Sequence, residues 1–131
     1  MRVFLDTNVL ASALIARGLC ADVVRGVLVS HELMTCEEVL EELRRVLSEK
    51  AGVTRDIVDE FESLLREVAS LVAGERAQVS LGRQDAMILG AALAGNADVF
   101  ITGDKRILAL ARVGTLDILS PRDFWKLLSS K

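Results

Sequence analysis

The acidic residues best placed for chemistry are Asp6, Glu42, Asp85 and Asp104. Asp6 follows the apolar run 3–5, and Gly103 and Asp104 follow the segment 99–102; both segments have the composition of short buried strands. Hard divalent cations such as Mg²⁺ and Mn²⁺ prefer carboxylate oxygens and water, and Mg²⁺ commonly keeps open positions for a substrate phosphate. The residue types therefore allow a carboxylate metal site, although their spacing alone does not establish one.

A structural explanation competes with the chemical one for three of these acids. Asp6, Asp85 and Asp104 all stand near the start of a predicted helix, where an aspartate caps free N–H groups and interacts favourably with the helix dipole. Taken singly, each of them is explained more simply by capping than by catalysis. Only convergence of all three on one pocket would favour catalysis.

Glu42 and Asp85 occupy unusual positions on their predicted helices. Glu42 lies about 100° from the centre of its helix's apolar stripe, a border position from which a carboxylate either reaches over the sheet edge or is solvated. Asp85 shares a helical face with Ile88, Leu89 and Ala92, so it points inward. A buried carboxylate is costly without a compensating partner, and a bound cation would be one.

Hydrophobic periodicity predicts the elements that must position these residues. Strands are expected at 3–5, 31–35, 77–80, 99–102 and 116–119. Helices are expected from the first polar turn to about 16, and over 21–29, 37–50, 55–71, 85–94, 105–112 and onward from Pro121, with Gly74 as a helix stop. Such alternation implies a parallel sheet with helices on both faces, and ligands of such sheets bind beyond the carboxyl ends of the strands.

Composition narrows the class of protein. A chain of 131 residues is the size of one domain, so we expect a single domain over 1–131, and 51% hydrophobic with 27% charged residues excludes disorder. No apolar run approaches the roughly 20 residues of a membrane helix. Asp6 and Asn8 interrupt the place where the apolar segment of a signal peptide would lie, so a cytoplasmic location is expected.

The remaining reactive side chains offer little. Cys20 and Cys36 lack a CxxC spacing and are expected to be free thiols, and His31 is the only histidine, with no partner pattern for nucleophilic catalysis. The net charge of -3 gives no overall basic surface for nucleic acid. Local basic groups remain at Arg44, Arg45, Arg83, Lys105 and Arg106.

Four segments resemble the successive landmarks of PIN domains, especially the toxin-like PIN ribonucleases. They are VFLDTNVLASAL, EEVLEELRRVL, RQDAMILGAALAGNADVFITGDKRIL and ILSPRDFWKLL. The resemblance runs in order over nearly the whole chain. No single segment is specific, but the combination is strong: DTN after a first strand, EL on a helix, D-x-x-I/L opening a buried helix, and TGD after a strand.

This resemblance implies a three-layer α/β/α fold with a central parallel sheet and a Mg²⁺- or Mn²⁺-dependent ribonuclease site. By motif match the acidic ligands are, in chain order, Asp6, Glu42, Asp85 and Asp104, with Asn8 and Thr102 as polar supports. Many relatives carry a further acid two residues after the fourth. Here that position is Arg106, which puts a second metal in doubt.

The implied mechanism uses the metal to activate water and to polarise a phosphodiester oxygen. Candidate phosphate contacts are Arg44, Arg83, Lys105 and Arg106. With one Trp, four Phe and no Tyr, stacking on bases is not predicted. The resemblance also implies an RNA substrate, an antitoxin protein as partner, and a homodimer.

Two other functions compete with this interpretation. The first is a non-catalytic PIN-like module that binds RNA or protein but cannot cleave, because Arg106 replaces an acid. The second takes Asp6 as the nucleophile of a haloacid-dehalogenase-type phosphatase. That mechanism requires a second aspartate two residues later, where this chain has Asn8.

Overall fold

Six strands form one sheet in the computed structural model, which describes residues 1–130. Their order across the sheet is β3-β2-β1-β4-β6-β5. The strands are β1 (Arg2–Leu5), β2 (Glu32–Thr35), β3 (Ser70–Leu71), β4 (Val99–Ile101), β5 (Arg112–Val113) and β6 (Leu116–Leu119). All neighbouring pairs are parallel except β5 and β6, which are antiparallel at one edge.

Seven α-helices connect or follow these strands. They are α1 (Thr7–Ile15), α2 (Leu19–Ser30), α3 (Glu37–Arg45), α4 (Arg55–Val68), α5 (Arg83–Ala94), α6 (Lys105–Leu108) and α7 (Pro121–Ser129). Helix α3 runs directly into a π-helical turn, Val46–Lys50, in which the N–H of Ala51 donates to the carbonyl of Val46 at 3.1 Å. Val46 and Lys50, at the two ends of this wider turn, line a cleft at the surface of the protein.

The strand order separates the helices into two groups. The chain moves from β1 through β2 to β3 in one direction across the sheet, and α1–α4 lie in those connections. It then returns past β1 to β4 and β6 in the opposite direction, through α5 and α6. Because parallel crossovers are right-handed, the two groups cover opposite faces of the sheet. The expected three-layer α/β/α fold is confirmed.

The core is centred on the two middle strands, β1 and β4. Val3, Phe4 and Leu5 are fully buried, as their continuous apolar run predicts for a strand covered on both faces. Phe4 and Phe100 are register partners on adjacent strands, and their rings stack with centroids 5.3 Å apart. Such packing fixes the register of β1 against β4, and hence the relative positions of the residues that follow them.

The expected strand at 77–80 is wrong. Helix α4 ends at Val68, short of the expected end, and the third strand is Ser70–Leu71, which extends the sheet by pairing with β2. The chain at 77–80 instead lies against α5, where the N–H of Ala77 donates to the carbonyl of Ala86 at 2.9 Å. An edge strand of only two residues is too short to show the alternating pattern by which strands are predicted from sequence.

A close backbone approach holds this segment on α5. A Cβ at Gly90 would lie 1.7 Å from the carbonyl oxygen of Glu75, and a Cβ at Gly74 would lie 2.5 Å from the carbonyl oxygen of Gly90. Both positions require glycine because backbone atoms fill the space. Gly74 thus serves this crossing rather than stopping a helix.

The expected helix at 105–112 is also shorter than predicted. Helix α6 ends at Leu108, and Ala111 adopts a positive φ of 60° that no α-helix allows. Arg112 and Val113 then pair with β6, so this edge of the sheet is antiparallel. No helix within residues 1–130 has the length and apolar character needed to cross a membrane.

Candidate active site

The strand ends that carry Asp6 and Asp104 meet at the carboxyl edge of the sheet. Leu5 and Ile101 are register partners at the ends of β1 and β4, and Asp6 and Thr102 follow them. The hydroxyl of Thr102 donates to Oδ2 of Asp6 at 2.7 Å. Residues 96 positions apart in sequence are joined because parallel strands end at the same edge.

Asp6 is held on three sides and is only 6% exposed. Its Oδ1 accepts from the N–H of Thr7 at 2.9 Å, which caps α1, and its own N–H donates to the carbonyl of Ile101 at 2.9 Å. The capping explanation is confirmed for this residue. It does not exhaust the role of Asp6, because the same carboxylate lines an acidic cleft.

Burial raises the pKa of Asp6 to about 6, even though the hydrogen bonds from Thr102 and Thr7 lower it. The nearby charges of Glu42 and Asp85 add to the increase. Desolvation and like charge both disfavour the ionised carboxylate. The cleft therefore contains negative charge that its own hydrogen bonds do not fully stabilise.

Asp104 is tied to the same hydroxyl. Its N–H donates to Oγ1 of Thr102 at 3.0 Å, and its Oδ1 accepts from the N–H of Arg106 at 2.8 Å, which caps α6. Thr102 thus links Asp6 and Asp104 through one buried hydroxyl group. Thr102, which the sequence analysis names as a polar neighbour of the acids, thus joins the ends of β1 and β4.

Asp85 does not cap its helix. It is the third residue of α5, whose N-cap is Gly82 and has no side-chain capping bond. Burial is the first cause that raises the pKa of Asp85, followed by the charges of Asp104 and Glu42, while Arg106 lowers it. The inward direction predicted for this carboxylate is consistent with these neighbours.

A cleft of about 330 Å³ brings the four predicted acids together. Its lining residues are Asp6, Asn8, Glu42, Val46, Lys50, Gln84, Asp85, Asp104 and Arg106. The acids come from four separate segments of the chain: the ends of β1 and β4, helix α3 and the first turn of α5. Helix capping and solvation of separate surface charges do not account for this convergence.

Arg106 stands between two of these acids. Its Nη2 lies 3.9 Å from Oδ2 of Asp85 and 3.7 Å from Oδ2 of Asp104. A second, wider depression of about 620 Å³ lies on its other side, lined by Ser80, Leu81, Gly82, Ala109 and Leu110. It is larger than the acidic cleft but contains no carboxylate, so the acidic cleft is the candidate site.

The donor set of the cleft fits Mg²⁺ or Mn²⁺, with carboxylates and the Asn8 amide as hard oxygen ligands. Among residues 1–130, however, no three His, Cys, Asp or Glu side chains are already arranged to hold a metal ion. The raised pKa of Asp6 and of Asp85 indicates charge that a cation would neutralise.

The predicted basic contacts are divided between cleft and surface. Arg106 lines the cleft, whereas Arg83 and Lys105 are exposed and lie outside its lining. The guanidinium of Arg44 binds Asp59 at 2.6 Å and Glu62 at 2.8 Å on α4. It faces a neighbouring helix rather than the cleft.

Two polar lining residues, Lys50 and Gln84, were not predicted from the sequence. In a regular α-helix Lys50 would lie about 80° around the axis from Glu42, because eight residues exceed two turns. The wider turn at Val46–Lys50 reduces that offset, so both residues line one cleft. Gln84 left no signal apart from its place beside Asp85.

Known proteins resemble this chain both in sequence and in fold. A family model described as the PIN domain matches residues 2–106. The fold is similar to that of a chain in the crystal structure of VapBC2 from Rickettsia felis bound to a DNA fragment from their promoter, with a TM-score of 0.66 and 14% identity, covering 92% of this chain and 98% of that one.

A chain of VapBC-1 from nontypeable Haemophilus influenzae is similar to the same extent. The TM-score is 0.66 at 19% identity, covering 93% of this chain and 99% of that one. No curated protein matches the sequence significantly. At these identities the structural likeness concerns the fold.

Proposed function

Because this chain belongs to the PIN domain family, we propose that it is a Mg²⁺- or Mn²⁺-dependent endoribonuclease that hydrolyses RNA phosphodiester bonds. The observation that carries the proposal is the convergence of Asp6, Glu42, Asp85 and Asp104 on one cleft. We take 1–131 as a single catalytic domain. A cytoplasmic location belongs to the same proposal, and the free thiols of Cys20 and Cys36 fit a reducing compartment.

The four acids would hold the metal, with Asn8 as a further oxygen ligand beside them. A bound divalent cation supplies a polarised phosphodiester oxygen and a more acidic water. Thr102 fixes Asp6 by donating to its Oδ2, so this ligand keeps one orientation. One of the carboxylates, or a water bound to it, accepts the proton of the attacking water.

Cations on two walls of the cleft would contact the substrate phosphates. Arg106 and Lys50 line the cleft beside the acids. The wider depression beyond Arg106 offers room for neighbouring nucleotides. Arg83 and Lys105 are candidates for more distant phosphates, whereas Arg44 would first have to leave its two carboxylates on α4.

A protein partner of the antitoxin kind and a homodimer complete the proposal. Support comes from a cavity of about 340 Å³ between α1 and α4, lined by Leu14, Ile57, Glu60, Phe61 and Leu64. Ile57 is 46% exposed and Leu64 is 48% exposed. Apolar side chains grouped in one cavity indicate a protein contact surface.

The deciding experiment incubates purified protein with structured and unstructured RNAs in Mg²⁺, Mn²⁺ or chelator. We expect cleavage with metal and none with chelator. An Asp85→Asn variant purified in the same way is the matched control, because a contaminating nuclease would survive the substitution. Intact RNA in both metals would overturn the proposal.

A non-catalytic binding module is the second candidate function. The position of Arg106 favours it, because the guanidinium approaches the two carboxylates that a metal would use. Such a module would retain RNA in a filter-binding or fluorescence assay without shortening it. Binding without cleavage in every metal would select this candidate.

A further inference from the structure

Arg106 combines a fixed backbone with a largely exposed side chain. Its N–H donates to Oδ1 of Asp104, so its backbone is held in the first turn of α6. The side chain is 75% exposed and reaches back over the cleft to both Asp85 and Asp104. A long side chain anchored only at its base can leave the carboxylates without disturbing the fold.

The two carboxylates that Arg106 approaches are also proposed metal ligands. A guanidinium and a divalent cation cannot both neutralise the same oxygen pair at close range, because like charges repel. Lys50, Asp6 and Glu42 also line the cleft, but no ion pair joins Arg106 to Glu42 or Asp6 among the described residues. The competition therefore centres on Asp85 and Asp104.

We propose that Arg106 is an internal counter-cation that competes with the divalent ion for Asp85 and Asp104 and so sets the metal concentration at which the cleft loads. This inference rests on the proposed function and adds a regulation of the same site. The metal concentration needed to load the cleft is then set by a residue of the protein itself, and it falls when the guanidinium is removed.

The test is calorimetric titration of Mn²⁺ into wild type and Arg106→Gln, without RNA. Exposed ion pairs are individually weak, so the two pairs together predict an affinity roughly three- to thirtyfold higher in the variant at low salt. The difference should shrink at high salt because ions screen exposed charges. Arg106→Lys keeps the charge and should stay closer to wild type.

Lys105→Gln is the matched control. It removes the same charge one residue away, from an exposed side chain outside the cleft lining, and should change the affinity by less than about twofold. In an Asp85→Asn background, Arg106→Gln should gain less than in wild type, because one of its two partners is already neutral.

The outcomes separate the two proposals. Equal Mn²⁺ affinity in wild type and Arg106→Gln would overturn the counter-cation role while leaving the nuclease standing. Weaker binding in the variant would also overturn it, since Arg106 would then support the metal. Failure of both proteins to bind Mn²⁺ would overturn the metal-dependent nuclease and this inference with it.

Discussion

Two clusters of acids and arginines lie within this small protein, and they are built differently. The first, here termed the helix network, joins α3 to α4 and consists of Glu37, Arg44, Asp59, Glu62 and Arg66. The second is the acidic cleft. The network pairs are 2.6–2.9 Å apart, whereas Arg106 approaches its two cleft acids at 3.7 and 3.9 Å.

Proton affinities show the same contrast. Hydrogen bonds from Arg66 lower the pKa of Glu37, and burial of Glu62 is outweighed by Arg66 and Arg44, so the pKa of Glu62 is lowered as well. In the cleft, burial and neighbouring acids raise the pKa of Asp6 and of Asp85. The helix network pairs its three carboxylates closely with two arginines, whereas the cleft keeps an excess of negative charge that a bound cation would neutralise.

Asp104→Asn should show the largest difference between the acidic cleft and the helix network. We expect it to reduce metal-dependent cleavage by at least about a hundredfold, because a lost ligand charge removes several kcal/mol of metal-mediated stabilisation. The fold should survive, since asparagine caps α6 about as well as aspartate. Initial rates on a fluorescent RNA, with a thermal melt of each protein, check both expectations.

Glu37→Gln is the control from the helix network. It removes one carboxylate of equal charge, bound to Arg66 rather than facing the cleft. Its cleavage rate should match that of wild type. Equal rates for Asp104→Asn and wild type would mean that the cleft acids are ordinary surface charges without a catalytic role.

The second prediction concerns Asp6→Asn in chelator. Because the pKa of Asp6 is raised to about 6 from 3.8, the ionised residue destabilises the folded state, by about 3 kcal/mol at most above pH 6. Asparagine removes that charge but loses part of the hydrogen bonding of Thr102 and Thr7. The variant should therefore be more stable than wild type at pH 8 in denaturant unfolding.

The sign of the pH dependence follows from the same shift. A raised pKa means that the folded state binds the proton more tightly, so the wild type gains stability as the pH falls from about 6 towards 3.8. The advantage of Asp6→Asn should shrink over that window. An advantage that stays constant from pH 8 to pH 4 would show that Asp6 does not titrate as proposed.

The third prediction tests the acidic cleft through the stabilisation of the protein by Mn²⁺. Mn²⁺ at about a hundred times its dissociation constant should stabilise wild type by about 2.7 kcal/mol, because it binds the folded state preferentially. Asp6→Asn should gain much less, having lost a ligand charge. Melts in a Mn²⁺ titration measure both, and equal gains would leave Asp6 as a helix cap only.

The smallest expected effect lies in the helix network. Arg66→Gln removes the ion pairs to Glu37 and Glu62 and should lower the melting temperature slightly at low salt. Added salt should diminish the difference, and the cleavage rate should not change. A loss of cleavage in this variant would mean that the network also positions Glu42 on α3.

The positions of Asp6 and Asp104 at neighbouring strand ends could be predicted from the sequence. DTN and TGD each follow an apolar run, and parallel strands end at a common edge, so the proximity of Asp6 and Asp104 follows from topology. Asp85 was recognisable because its helical face is otherwise apolar. These inferences depend on local pattern and one general rule of sheet architecture.

Other features of the structure could not be predicted from the sequence, because they depend on tertiary contacts. The capture of Arg44 by α4 requires knowledge of which helices are neighbours, and the placement of Lys50 requires the wide turn after α3. The edge strand at Arg112–Val113 depends on the positive φ of Ala111. Residues other than glycine rarely adopt this conformation, so the sequence does not predict it.

The crossing of Gly74 over Gly90 limits how this chain can vary. Backbone oxygens occupy the space of a Cβ at both positions, so even alanine would force the segment before α5 away from the helix that presents Asp85 and Gln84. Relatives that share this crossing should therefore retain both glycines through sequence divergence, even where the acids have been lost. The pair would mark the architecture in a lineage independently of its catalysis.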